Sequence, residues 1–210
     1  MSNDPYRTTK GIVLKEIDYG ESSKMLSVFS GEYGLIHVCA RGVRKVKSKL
    51  RPLSQMFCYG ELELYKKNGE IYTLTGGRVI ESFYGISSDI DSFYVAGKIS
   101  RVLLSVLQPE LPDVETLRLT LNAFHYLASG TRNPRLIQVI FMLYFMQIQG
   151  VLPDAEIILS QYGQTLSSGA KRSVHHITES EIENLFRFTV SDTILEELES
   201  LCDQLVRKYI

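Results

Sequence analysis

The sequence predicts an α+β protein: a five-stranded barrel of the oligonucleotide-binding (OB) type, followed by an all-α helical domain. Three observations carry this. Residues 1–80 hold several short apolar runs separated by tight turn signals, which is strand chemistry. From residue 88 onward the apolar period changes from two to between three and four. Charge changes with it: residues 1–80 carry 13 Lys+Arg against 8 Asp+Glu, whereas residues 81–210 carry 10 against 16. The expected division is residues 1–81 for the barrel and 82–210 for the helices.

The strand half reads in order as follows. Residues 11–17 are apolar and β-branched at their start, and Asp18-Tyr19-Gly20-Glu21 supplies a turn. Residues 24–30 form a second strand, Gly31-Glu32-Tyr33-Gly34 a second turn, and residues 35–40 a third strand. Residues 56–66 alternate, with Leu62 and Leu64 on one face and Glu61, Glu63 and Tyr65 on the other. Asn68-Gly69 then signals a hairpin into residues 71–75, with a break at Gly76-Gly77 and a resumption at 78–80. Five short strands so joined suit the Greek-key OB barrel, with an SH3-like barrel as the alternative.

The helical half begins with a stripe of Tyr94, Val95, Lys98, Ile99, Val102, Leu103 and Val106. Residues 113–128 and 134–149 follow as helices, the latter apolar nearly all round and so central to its bundle. Thr178-Glu179-Ser180-Glu181 has the form of a capping box opening a short helix, and Ser191 opens the last one. Residues 152–177 show no clear period.

Chemistry concentrates in one place. Between the third and fourth strands, Arg41, Arg44, Lys45, Lys47, Lys49 and Arg51 put six cations into eleven residues with no acid among them. A solvated loop is the plain alternative. Held between two strands, however, such a run is a fixed electrostatic feature suited to phosphate. Lys66 and Lys67 extend it at the hairpin. Of the aromatics that interleave this half, Tyr65 and Tyr72 flank those lysines and are the choice for base stacking.

Catalysis is not indicated. His37, His125, His175 and His176 stand near no nucleophile motif, and His175-His176 reads as a solvated or anion-facing loop. Cys39, Cys58 and Cys202 are widely spaced and read as small buried hydrophobes. Residues 1–5 lack the charged start and apolar core of a signal peptide, and no apolar run approaches the ~20 residues of a bilayer span, so a cytoplasmic, non-membrane protein is expected. An RNA-binding OB protein of translation or decay is the competing reading, and an enzyme with its site in residues 152–177 a third.

Several ordered motifs resemble one family. Thr9-Lys10-Gly11-Ile12-Val13-Leu14, Tyr19-Gly20-Glu21, Glu32-Tyr33-Gly34, Ala40-Arg41-Gly42-Val43-Arg44-Lys45, Lys47-Ser48-Lys49-Leu50-Arg51 and Glu61-Leu62-Glu63-Leu64-Tyr65 resemble the RecO family of bacterial recombination mediators. Leu127-Ala128-Ser129-Gly130 and Gly150-Val151-Leu152-Pro153 continue the likeness more loosely. The resemblance implies binding of single- and double-stranded DNA, annealing of complementary strands, RecR as partner, and assistance to RecA on strands coated by single-strand-binding protein. For the acidic tail of that protein, the cation pairs Lys98/Arg101 and Arg132/Arg135 are the expected receptor, because a carboxylate-rich tail needs a cationic rim around an apolar hollow. Many members of the family also carry a four-cysteine zinc module after the third helix. Here Leu159-Ser160-Gln161-Tyr162-Gly163 holds no cysteine, so that module is expected to be degenerate or absent around residues 154–177, with no metal and no other cofactor.

Overall fold

The structure, a computed structural model, describes residues 5–66 and 69–209. The chain forms two compact units, residues 1–84 with 100–117 and residues 85–99 with 118–210. Residues 100–117 group with the first unit.

The first unit is a closed barrel of β1 (Tyr6–Tyr19), β2 (Ser23–Ser30), β3 (Gly34–Ala40), β4 (Tyr59–Tyr65) and β5 (Ile71–Glu81), in the order β1-β2-β3-β5-β4 with β4 closing on β1. All pairs are antiparallel except β3 with β5, which run parallel from His37 opposite Ile71 to Cys39 opposite Thr73. This is the Greek-key arrangement of the oligonucleotide-binding barrel. Alternation fills it: Val13, Leu26, Val28, Val38, Leu62 and Leu74 point inward and are buried.

Three strands differ from expectation. β4 begins at Tyr59 rather than at residue 56, Phe57 before it being at φ +68°. β1 is longer at both ends than residues 11–17, because its outer stretches pair fully while carrying polar side chains that break the apolar pattern. β5 is one strand rather than two. Glu63 faces Gly76 and Leu64 faces Leu74, so Thr75 is the extra residue of a bulge and pairing resumes beyond it.

Residues 100–117 belong to this unit through backbone bonds to the β2–β3 turn. Leu35 N–H donates to the Gln108 carbonyl at 3.2 Å, Glu110 N–H to Tyr33 at 2.9 Å and Asp113 N–H to Gly31 at 3.0 Å. Gly34 sits at φ +63°, and a Cβ there would lie 2.2 Å from the Gln108 oxygen.

The helices are α1 (Ile90–Val106), α2 (Val114–Ser129), α3 (Pro134–Ile148), α4 (Ala155–Tyr162), α5 (Ser168–Glu179) and α6 (Asp192–Tyr209). In the second unit α3 is central as expected, with Leu136, Ile140, Phe141, Leu143 and Met146 among its buried residues. Asn133 caps it by accepting from Arg135 N–H at 2.9 Å, with Pro134 in the first turn. Tyr94 departs from the expected stripe of α1 and is exposed.

The segment without a readable period folds as α4 and α5. Ser167 caps α5 through Ala170 N–H at 3.2 Å, and Ala170, Ser173, Val174 and Ile177 form its buried side. Thr178-Glu179-Ser180-Glu181 ends this helix and does not open another. The Thr178 hydroxyl bonds back to the Val174 carbonyl at 3.0 Å, and Ser180 N–H reaches the His176 carbonyl at 3.1 Å. His175 and His176 are therefore helical, not in a loop.

Gly34→Ala should destabilise the protein by at least about 2 kcal/mol, since it combines left-handed strain with a backbone collision. Urea unfolding followed by circular dichroism measures this.

Candidate nucleic-acid interface

The segment after β3 begins by turning back on the barrel. Val43 drops its side chain into the core at 1% exposure. Gly42 N–H donates to the Ser23 hydroxyl at 3.2 Å, and Arg44 N–H to the Ser22 carbonyl at 2.9 Å. Arg44 adds an ion pair to Asp18 at 3.1 Å and a weak bond to the Gly20 carbonyl at 3.4 Å. At this exposure the ion pair contributes at most about 1 kcal/mol, so Val43 and the backbone bonds do most of the anchoring. Successive tight turns follow, Lys45 N–H to Gly42 at 3.1 Å and Ser48 N–H to Lys45 at 3.0 Å. A 3-10 turn at Pro52–Ser54, with Leu53 buried, anchors the far end.

All six cations of the run are exposed. Among the described residues, only Arg44 of the six is ion-paired. The other five therefore present uncompensated charge from a loop anchored at both ends.

The hairpin residues fare differently. Tyr72 lies in the barrel core at 4% exposure, on the same side of β5 as Leu74, and offers no face to a base. The alternation Ile71-Tyr72-Thr73-Leu74 could have shown this. Lys66 holds its ammonium 4.6 Å from the Tyr72 ring centroid and 3.8 Å from Glu110. Tyr65 is half-buried against Tyr6, with ring centroids 5.0 Å apart. Lys67 lies outside the described residues, as does Asn68 of the hairpin signal.

Beside the basic loop is a hollow of about 700 Å³ that sequence reasoning missed. Tyr19, Met25, Cys39 and Ile71 line it together with Arg41 and Lys45. These residues come from four strands and a loop, and only strand register brings them together.

The helical cations regroup. Lys98 and Arg135 line one hollow of about 440 Å³ with Tyr94, Val139 and the carboxylates of Asp91, Glu199 and Asp203. Lys98 stands 4.6 Å from the Tyr94 ring centroid and 3.3 Å from the Gln138 oxygen. Arg135 donates from Nε to Glu199 Oε1 at 2.8 Å and from a terminal nitrogen to Oε2; these bonds raise its pKa above the ordinary guanidinium value. Arg132 instead clasps the carbonyls of Phe186 at 3.0 Å and Arg187 at 3.3 Å. Arg101 is exposed and belongs to the first unit. Lys98 and Arg135 thus line one hollow, and Arg101 and Arg132 are not among its lining residues.

Cys39, Cys58 and Cys202 are free and buried. Burial, then nearby carboxylates, pushes Cys58 up to about 11 and Cys202 up to about 12, so both remain neutral thiols at pH 7. His175 Nδ1 lies 3.1 Å from Glu179, and His176 packs edge-on against Phe188. Among the described residues no three His, Cys, Asp or Glu gather as a metal site, and a four-ligand zinc module does not fit residues 154–177. Nor is any helix of the described residues long and apolar enough to cross a membrane.

Fold and site define a class: an OB-type barrel with a fixed cationic loop, combined in one chain with a helical unit. The family model described as "Recombination protein O N terminal" matches residues 1–83, and "Recombination protein O C terminal" matches residues 87–156. A DNA repair protein RecO of Acetivibrio thermocellus is 30% identical over 220 residues, covering 92% of this chain and 87% of that protein. Proteins of the same name are 30% identical in Halalkalibacterium halodurans, over 74% of this chain and 60% of theirs, and 33% in Caldicellulosiruptor saccharolyticus, over 69% and 59%. In those two alignments the chain spans about three fifths of the relative's length. The chain belongs to the RecO family of DNA repair proteins.

Elemental analysis of the purified protein should find no stoichiometric zinc, and a strong chelator should leave its Tm unchanged. One zinc per chain would overturn this.

Proposed function

We propose that the chain is a recombination mediator that binds single- and double-stranded DNA through residues 41–51 and anneals complementary strands. The observation that carries this is the loop: five exposed cations without a carboxylate partner among the described residues, on a segment anchored at both ends. Phosphates on such a surface release counterions, which gives affinity without sequence preference. Two strands so neutralised repel each other less, which favours their pairing. With RecR as partner, the same surface assists RecA on strands coated by single-strand-binding protein. The role is binding, not catalysis, and its setting is the cytoplasm, at the nucleoid.

For the acidic tail of single-strand-binding protein, the hollow with Lys98 and Arg135 is the receptor. Glu199 already occupies Arg135, so an incoming carboxylate must displace it. Lys98→Ala with Arg135→Ala should abolish tail-peptide binding in a calorimetric titration, while Arg101→Ala leaves it intact. Peptide binding that survives the double change would remove this placement.

The loop test leaves Arg44 in place, because it also bonds to the β1–β2 turn. Lys45, Lys47 and Lys49 changed together to Glu should nearly abolish binding of single and double strands and annealing. Each site should cost within about 0.5 kcal/mol of stability. Single changes to Ala should weaken all sequences alike and lower the salt slope by about 0.7–0.9 for each phosphate no longer neutralised. A folded triple variant with unchanged affinity and slope would refute the proposal.

A further inference from the structure

The hollow beside the loop has a floor built by register. Residues directly opposite in a ladder share a face of the sheet. Ile17 lies opposite Met25, Met25 opposite Cys39, and Cys39 opposite Thr73, so one row crosses β1, β2, β3 and β5. The flanking rows bring Tyr19 opposite Ser23, and Ser27, His37 and Ile71 across from one another. The outer face of a barrel is ordinarily polar. Here Ile17 is 53%, Ile71 51% and Tyr19 60% exposed, an apolar surface that folding leaves uncovered.

Charge completes the site. Arg41 and Lys45 line the same hollow. The acids of neighbouring β1 are engaged, Glu16 by Lys24 at 2.6 Å and Asp18 by Arg44 at 3.1 Å. The matching ligand is apolar on its faces and carries an anion at one edge. A nucleotide turned out of its strand has this form, with its base against the floor and Tyr19 and its phosphate at the cations. A duplex keeps its bases stacked and paired, and can offer only phosphates.

We propose that this hollow seats one unstacked base of a single strand against Tyr19, giving the barrel a preference for single-stranded over duplex DNA. This rests on the nucleic-acid reading of the loop and adds strand discrimination to it.

The test titrates the full chain with three fluorescent probes: an oligo-dT, an abasic phosphodiester strand of equal length, and a duplex. Tyr19→Ala should weaken oligo-dT binding roughly tenfold, as expected for removal of one aromatic stack. Abasic and duplex affinities, and the salt slope, should stay at wild-type values. Tyr19→Phe keeps the ring and should bind oligo-dT like wild type. Unchanged oligo-dT affinity in Tyr19→Ala overturns the proposal. So does an equal loss on all three probes, which would mean that the ring positions backbone rather than base. Measuring the Lys45/Lys47/Lys49→Glu variant alongside separates the two claims. If that variant binds normally while Tyr19→Ala does not, the phosphate reading fails and the base seat stands. If wild type binds no probe, both fall.

Discussion

Barrel closure depends on one strand serving two neighbours. β1 pairs with β4 along residues 6–12 and with β2 along residues 11–19, with a bulge between Val13 and Lys15. Gly11 belongs to both ladders, opposite Ser30 on one side and Gly60 on the other. A Cβ at this corner would meet Val28 Cγ1 at 2.6 Å and the Phe29 carbonyl oxygen at 3.0 Å. Opening the barrel here would expose two strand edges. It would also free the base of the cationic segment, which runs from Ala40 at the end of β3 to Tyr59 at the start of β4.

Basic side chains of the same chemistry meet three fates in this molecule. Arg44 and Arg132 bond to backbone carbonyls and hold structure. Lys66, Lys98 and Arg135 are engaged by rings, amides or carboxylates. Arg41, Lys45, Lys47, Lys49 and Arg51 remain exposed. Residue type does not distinguish these groups; the neighbours brought up by the fold do.

That is also the limit of what the sequence discloses. The barrel is legible because alternation at Leu62 and Leu64, and glycine-bearing turns, are local signals. The outer ends of β1 are not, since polar side chains carry no period even where the backbone pairs. The Thr178–Glu181 motif misleads because Thr and Ser bond to backbone at either end of a helix. α4 and α5 are short and bury few side chains each, too few for a readable stripe. The grouping of residues 100–117 with the barrel rests on backbone bonds to the β2–β3 turn, which leave no mark on side-chain pattern. At the site, the cations are legible as a run of charge. Tyr72 misleads because its basic neighbours in sequence suggest a role that its parity in the strand denies. The hollow at Tyr19 depends on the register of several strands, which no single segment encodes.

The turns that follow Val43 bear on how fast a ligand can be captured. A disordered basic tail that folds on a polyanion loses backbone entropy at that moment, about 1–2 kcal/mol per residue ordered. In this chain much of that loss falls on folding, since the segment already turns on its own backbone and is anchored at Val43 and Leu53. A polyanion meeting this loop would find a preformed surface, and long-range attraction would govern the association rate more than a search among loop conformers. Ionic strength would therefore act on arrival as well as on residence.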